Sequence, residues 1–306
     1  MLGWMSYVIA VSLLTLRSIT AHRTLDTFQN QNYHAGILGP FPLFATSSMI
    51  DQKQFSEEVN LIGKAFDEQL NYIVGGYYFR EKAENRQTNS LQTTRNRSLA
   101  FFGQATWSPE TFDRRLHLTA GVRWSKDKRE ARLTQGPQTA AGDKSFSDVS
   151  PAFILAYDFS KDVNVYAKVA WGYKTGGFNT RASSLTRFSE GFAPETLISY
   201  EAGLKSEWLD RRLRVNLASF ISKYDDIQVN IQSDPVDITI VDVLNAGKAT
   251  IWGSELDIRM LPADGLSIGI TYAYLHPRYD RIINAAGQDV ADNFRFVNSP
   301  AHSAIA

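Results

Sequence analysis

The gaps between strand-like segments constrain this 306-residue chain more than any single residue in it. Residues 114–126, R-R-L-H-L-T-A-G-V-R-W-S-K, show the repeating unit. Leu116, Leu118, Ala120, Val122 and Trp124 fall on one face of an extended chain, and His117, Thr119, Gly121, Arg123 and Ser125 on the other. Such alternation marks a strand with one apolar and one polar face. The pattern predicts strands over 13–25, 53–66, 70–84, 96–108, 115–130, 148–159, 163–175, 196–209, 213–227, 247–261 and 266–278, with a twelfth starting near 301. Short connections (67–69, 108–114, 160–162, 210–212, 262–265) alternate with long ones (26–52, 85–95, 131–147, 176–195, 228–246, 279–300) without exception. In an up-and-down meander every short turn then lies at one end and every long loop at the other.

No segment carries an apolar stripe of helical period able to cover a sheet, which leaves a sandwich or a barrel. The asymmetry of the ends points to an all-β fold, an antiparallel up-and-down transmembrane β-barrel with short periplasmic turns and long extracellular loops. The strands agree. Val163, Val165, Ala167, Val169 and Trp171 alternate with Asn164, Tyr166, Lys168, Ala170 and Gly172. Mid-strand charges suit a hydrated lumen and not a sandwich core. Trp107 and Trp208 sit beside short turns, and Trp124, Trp171 and Trp252 toward the long-loop ends, as two interfacial girdles would require.

Lys+Arg and Asp+Glu both total 32, so no basic excess suggests a nucleic acid partner. The chain has no cysteine, which excludes disulfides and thiolate metal sites. It has no apolar run of the roughly eighteen residues that a transmembrane helix needs. The opening M-L-G-W-M-S-Y-V-I-A-V-S-L-L-T-L-R has the look of a signal peptide but lacks a basic start, and from Ser12 it alternates like a strand. Residues 1–12 therefore read as an uninformative N-terminal segment and 13–306 as barrel.

Three stretches then resemble the barrel of TonB-dependent outer-membrane receptors: G-Y-K-T-G-G-F-N (172–179), Y-E-A-G-L-K-S-E-W-L-D-R-R-L-R-V-N-L-A-S-F-I-S-K-Y-D-D-I-Q-V (200–229) and N-A-G-K-A-T-I-W-G-S-E-L-D (245–257). The likeness implies location in the outer membrane of a Gram-negative bacterium. It also implies a plug domain in the lumen, contact with the TonB complex of the inner membrane through an N-terminal region, and about 22 strands in the intact barrel. Neither the plug nor that region is found in the sequence, so the chain is expected to be a partial barrel of 11–12 strands. Glu201 and Lys205, and Glu255, Asp257 and Arg259, face inward in the strand pattern. They are expected either to hold the plug or simply to solvate the lumen.

No catalytic constellation stands out. The five histidines are scattered, with no H-E-x-x-H, G-x-S-x-G, Walker-type or EF-hand pattern. His22 and His117 read as polar lumen lining. No cofactor and no metal site is expected. Gly172, Gly176 and Gly177 read as a bend or a close backbone approach, not a phosphate cradle, which would need a following helix. Ligand contacts are expected in the long loops. Tyr33 and His34 stand in loop 26–52, and Phe178, Arg181, Arg187 and Phe188 in loop 176–195. This aromatic and cationic mixture suits an anionic or ring-bearing ligand, though loop aromatics also pack loops together. The expected function is TonB-energised uptake of a scarce nutrient, a ferric siderophore first, with no chemistry on the cargo. A passive porin or an adhesin on a similar barrel is the alternative.

Overall fold

The computed structural model describes residues 2–11, 14–33, 44–232, 241–283 and 287–306. It is one antiparallel sheet of thirteen strands bonded in chain order. The strands are β1 (Leu2–Val11), β2 (Leu14–Tyr33), β3 (Phe44–Ala65), β4 (Leu70–Gln87), β5 (Ser90–Trp107), β6 (Leu116–Gln135), β7 (Gln138–Ser160), β8 (Val163–Lys174), β9 (Glu195–Trp208), β10 (Leu213–Gln232), β11 (Val241–Ala263), β12 (Leu266–Ile282) and β13 (His302–Ile305). The sheet is curved into part of a barrel and does not close, with β1 and β13 at its edges.

All twelve predicted strands fall on observed ones, and three features differ. Residues Leu2–Val11, left unread in the sequence, form β1 and pair with β2 from Leu2↔Arg23 to Val11↔Leu14. The run Tyr7-Val8-Ile9-Ala10-Val11 is continuously apolar, so alternation could not reveal it. The strands also outrun their predicted ends on the long-loop side. Loops 85–95 and 131–147 are instead hairpin tips: β4 and β5 are separated only by residues 88–89, and β6 and β7 only by Gly136 and Pro137. Gly136 has φ of 55°, the left-handed geometry that a two-residue hairpin needs. Backbone ladders do not require an apolar face, so pairing continues where the outward residues turn polar and the sequence signal fades. Finally, His22 pairs with Phe55 and lies an even number of residues from Leu14 and Leu16, which places it on the outer face and not in the lumen.

The outer face carries the apolar band. Ala120 pairs with Phe153, which pairs with Val169, followed by Tyr200, Ile221 and Trp252 in one row. Phe101, Val122, Phe153 and Leu155 are all about half exposed or more, at 56%, 50%, 49% and 50%. An apolar surface this continuous on the outside of a sheet is the surface of a membrane barrel, with lipid as its solvent. Trp107 and Trp208 stand exposed at the short-turn margin, and Trp124, Trp171 and Trp252 toward the other.

Candidate functional site: the concave face and its mouth

The register gathers the five nominated charges on one concave face. Lys168 pairs with Glu201 and Glu201 with Phe220. Gly203 pairs with Ala218 and Ala218 with Glu255. Lys205 pairs with Asn216 and Asn216 with Asp257, while Arg214 pairs with Arg259. All five therefore lie in adjacent rows of β9 and β11, with β10 between them. Tyr166 of β8 leans across Gly203, where an added Cβ would meet its ring at 2.5 Å. The Tyr166 hydroxyl donates to Glu201 Oε1 at 2.7 Å, Lys168 Nζ lies 3.5 Å from Glu201 Oε2, and Lys205 Nζ sits 5.6 Å from the Tyr166 ring centroid. Thr271 donates to Asp257 at 3.2 Å. Lys205, Glu255, Asp257 and Arg259 are exposed. Among the described residues none of these four closes an ion pair. They form a charged wall facing open water.

Toward the long-loop end the same concave face is covered. Residues 175–194 fold inward with α1 (Leu185–Glu190), whose Ser184 cap accepts from the Arg187 N–H at 3.1 Å. Phe188 is fully buried against Ala131, Leu133 and Ala140, with Phe178, Ala182 and Leu185 around it. Phe178 and Phe188 are therefore packed into the loop's own core, their ring centroids 5.9 Å apart. Arg187 is exposed and paired with Glu190 at 3.0 Å, and Arg181 is exposed beside it in sequence. Tyr33 ends β2, paired with Phe44, and His34 lies outside the described residues.

The loop is also tied down by polar groups that sequence reasoning missed. Asn245 accepts from the Ala193 N–H at 2.7 Å and donates to the Ala193, Pro194 and Asp226 carbonyls at 2.8, 3.2 and 2.9 Å. Gln228 donates to the Thr175 and Ala193 carbonyls at 3.1 and 3.0 Å, and its backbone N–H donates to Glu195 at 2.6 Å. Ser183 donates twice to Asp242, at 3.0 and 2.7 Å. A Cβ on Gly176 would meet the Phe192 carbonyl at 2.2 Å, so glycine there permits the close approach of 192–193. Gly172 has only ordinary contact. Thus the N-A-G-K-A and T-G-G stretches are two sides of one clasp. The signal lay in those motifs, but only the fold shows that they meet. A second apolar cluster, Ile227, Val229, Ala249 and Ile282, is covered by Tyr279 of β12 and by Phe294 and Phe296 from the segment after that strand.

At the short-turn end His117 of β6 links the turn after β5 to β7. Its Nδ1 lies 2.7 Å from Ser108 Oγ and its Nε2 2.8 Å from Asp158 Oδ2, while Asn164 donates to Asp158 at 2.7 Å. The grouping has the composition of a hydrolytic triad, but its Ser108 is buried at the start of a turn, at 8% exposure. It serves as a strand tie.

A family model described as TonB dependent receptor-like, beta-barrel matches residues 7–306. A pesticin receptor from Yersinia pestis is 30% identical over 183 residues, covering 58% of this chain and 26% of that protein. A metal-pseudopaline receptor of Pseudomonas aeruginosa is 25% identical over 182 residues, covering 59% and 23% respectively. The crystal structure of the ferric yersiniabactin uptake receptor of Yersinia pestis superposes with a TM-score of 0.78 at 22% identity, over 99% of this chain and 45% of that one. The chain thus spans about a quarter of the length of these curated relatives.

Proposed function

This chain belongs to the TonB-dependent receptor β-barrel family, and from that premise we propose that it is part of an outer-membrane receptor importing a scarce nutrient with TonB-transmitted energy. The cargo class we assign is a ferric siderophore. The observation that carries the reading is the unpaired charge on the concave face, set against an apolar outer wall. Lys205, Glu255, Asp257 and Arg259 are exposed to the lumen, without ion-pair partners among the described residues, in position to meet the polar surface of a plug lodged there. Glu201 is already engaged by Tyr166 and Lys168 and acts with them as a fixed part of that wall. At the mouth, Arg181 and Arg187 supply exposed cations for an anionic chelate, while Phe178 and Phe188 hold the loop that carries them. The relatives named above are receptors, which fits a protein that moves its cargo unchanged. Siderophore-dependent growth under iron limitation tests the reading: deleting the gene should abolish it, and complementation carrying Glu255→Arg with Arg259→Glu should restore it poorly. Full growth by the deletion strain, together with steady ion conductance by the purified protein in bilayers, would instead indicate a passive pore.

A further inference from the structure

β7 is paired along its whole length on one side and along only its lower part on the other. Toward β6 its register runs without a shift from Leu116↔Tyr157 to Gln135↔Gln138. Toward β8 it ends at Ala152↔Ala170, although β7 continues to Gln138. The direction of the hydrogen bonds follows from one bond at the short-turn end, where the Asp158 N–H donates to the Arg115 carbonyl at 2.8 Å. Backbone groups point to alternate neighbours along an antiparallel strand. Even-numbered residues of β7 therefore point at β6, and odd-numbered ones at β8. The first odd residue past the last β8 pair is Pro151, which has no N–H to give. There β8 parts from β7 and leans inward. Its Tyr173 reaches across the concave side of β7 and donates to Asp127 of β6 at 2.7 Å. Above Pro151, Thr139, Ala141, Asp143, Ser145, Ser147 and Val149 each turn a backbone N–H and C=O toward the place that β8 has left. All six residues are exposed, and among the described residues nothing bonds those groups.

An open edge of this length is a template for another strand, and proteins ordinarily blunt one with bulges, prolines or charges. Here the register carries no bulge, Pro151 guards only the base, and Asp143 is already held by Lys128 at 3.0 Å. We propose that this edge docks an extended segment of a separate protein as an added antiparallel strand. That the edge stands on the extracellular side rests on the outer-membrane reading above. Only another extended backbone matches a row of alternating donors and acceptors. A second copy of this chain fits poorly. Barrel strands tilt by about 40°, so two copies related by a two-fold along the membrane normal would cross their edges at about 80°. Side chains narrow the class further. Lys144, Phe146 and Asp148 point their backbone groups at β6. Across the open edge they therefore stand at non-hydrogen-bonded positions, where facing side chains approach most closely. Lys144 lies opposite Arg129, which is held by Asp127 at 3.3 Å. Among the described residues neither Lys144 nor Asp148 closes an ion pair. The segment that fits carries, at every second position in chain order, a basic residue opposite Asp148, an apolar one opposite Phe146 and an acidic one opposite Lys144.

The test uses the full-length protein carrying this barrel, extracted from cell envelopes in mild detergent. Membrane fractionation and heat-modifiable gel mobility first establish location and folding, independently of any peptide. The probe is a fluorescent peptide, Lys-Thr-Lys-Thr-Val-Thr-Glu-Thr-Lys, whose threonine amides would face the edge. Fluorescence anisotropy measures its binding, and hydrogen exchange locates it. We expect the Ser145, Ser147 and Val149 amides to exchange freely in the unbound protein and to slow when the peptide is added. Ser147→Pro removes an edge N–H without touching the β6 ladder, so that protein should fold and bind at least about tenfold more weakly. Lys144→Glu should weaken binding about two- to fivefold, and a peptide with lysine in place of its glutamate should recover it. The peptide methylated at its threonine amides should not bind. Edge amides already protected without peptide, amides that stay fast with it, or full binding by the Ser147→Pro protein or by the methylated peptide would overturn the proposal. Edge protection that grows with protein concentration alone, with dimers in sedimentation, would overturn the separate partner in favour of a second copy. A protein that folds and binds the peptide but fractionates outside the outer membrane would overturn the location reading and not the docking edge.

Discussion

Loop 175–194 and the charged wall of β9–β11 occupy the same concave face and are built on opposite principles. The loop satisfies itself. Phe188 is wholly buried, and Asn245 and Gln228 bond its backbone. The wall leaves Lys205, Glu255, Asp257 and Arg259 exposed and, among the described residues, without an ion pair. A region that completes its own contacts is scaffolding, while one that leaves charges in water is stable in either case and is free to serve a partner.

The sharpest way to break this contrast is Phe188→Ala. Emptying a fully buried aromatic site should cost about 3–5 kcal/mol of local stability and free the loop, seen as trypsin cleavage at Arg181 or Arg187 while the barrel stays intact. Uncut loops would mean that the apolar core does not hold them. Asn245→Ala comes next. It removes the acceptor of the Ala193 N–H, while the carbonyl keeps Gln228, and should cost about 0.5–1.5 kcal/mol, read as faster hydrogen exchange at Ala193. On the wall, Glu255→Gln with Arg259→Gln should change unfolding by no more than about 0.5 kcal/mol, as exposed substitutions do. A melting shift well beyond that would show that the wall is structural and erase the contrast. The smallest effect is a pH dependence after β12. The Ile282 and Ala291 N–H groups donate to Asp289 and hold its carboxyl below the ordinary carboxylate range. A depressed value stabilises the folded segment above the unfolded value and is lost as pH falls through the folded one. Pepsin cleavage near Phe294 should therefore rise on acidification in the parent more than in Asp289→Asn.

These contrasts also mark what the sequence could tell. The band was legible because lipid on one side and water on the other impose strict alternation, as Leu118 to Trp124 show. Strand ends were not, because Arg132 and Thr134 continue the β6 ladder with a polar outer face and so resemble a loop. β1 stayed hidden for the converse reason, an unbroken apolar run. The charged wall followed from parity alone. The clasp did not, since Asn245 and Ala193 stand 52 positions apart and only the packed loop brings them together. Phe178 and Phe188 read as ligand candidates with loop packing as the favoured alternative for each, and burial, which sequence does not encode locally, decides for packing.

The length of β7 has a consequence for encounter. Its 23 residues, at about 3.4 Å each and tilted by about 40°, give a rise of roughly 60 Å. The apolar band needs only about 25 Å of that. The rest is a rigid palisade that lifts the rim tens of ångströms clear of the lipid. The tip at Gly136 and Pro137 is therefore carried on a paired ladder, whose stiffness fixes where it stands, and not on a long flexible loop.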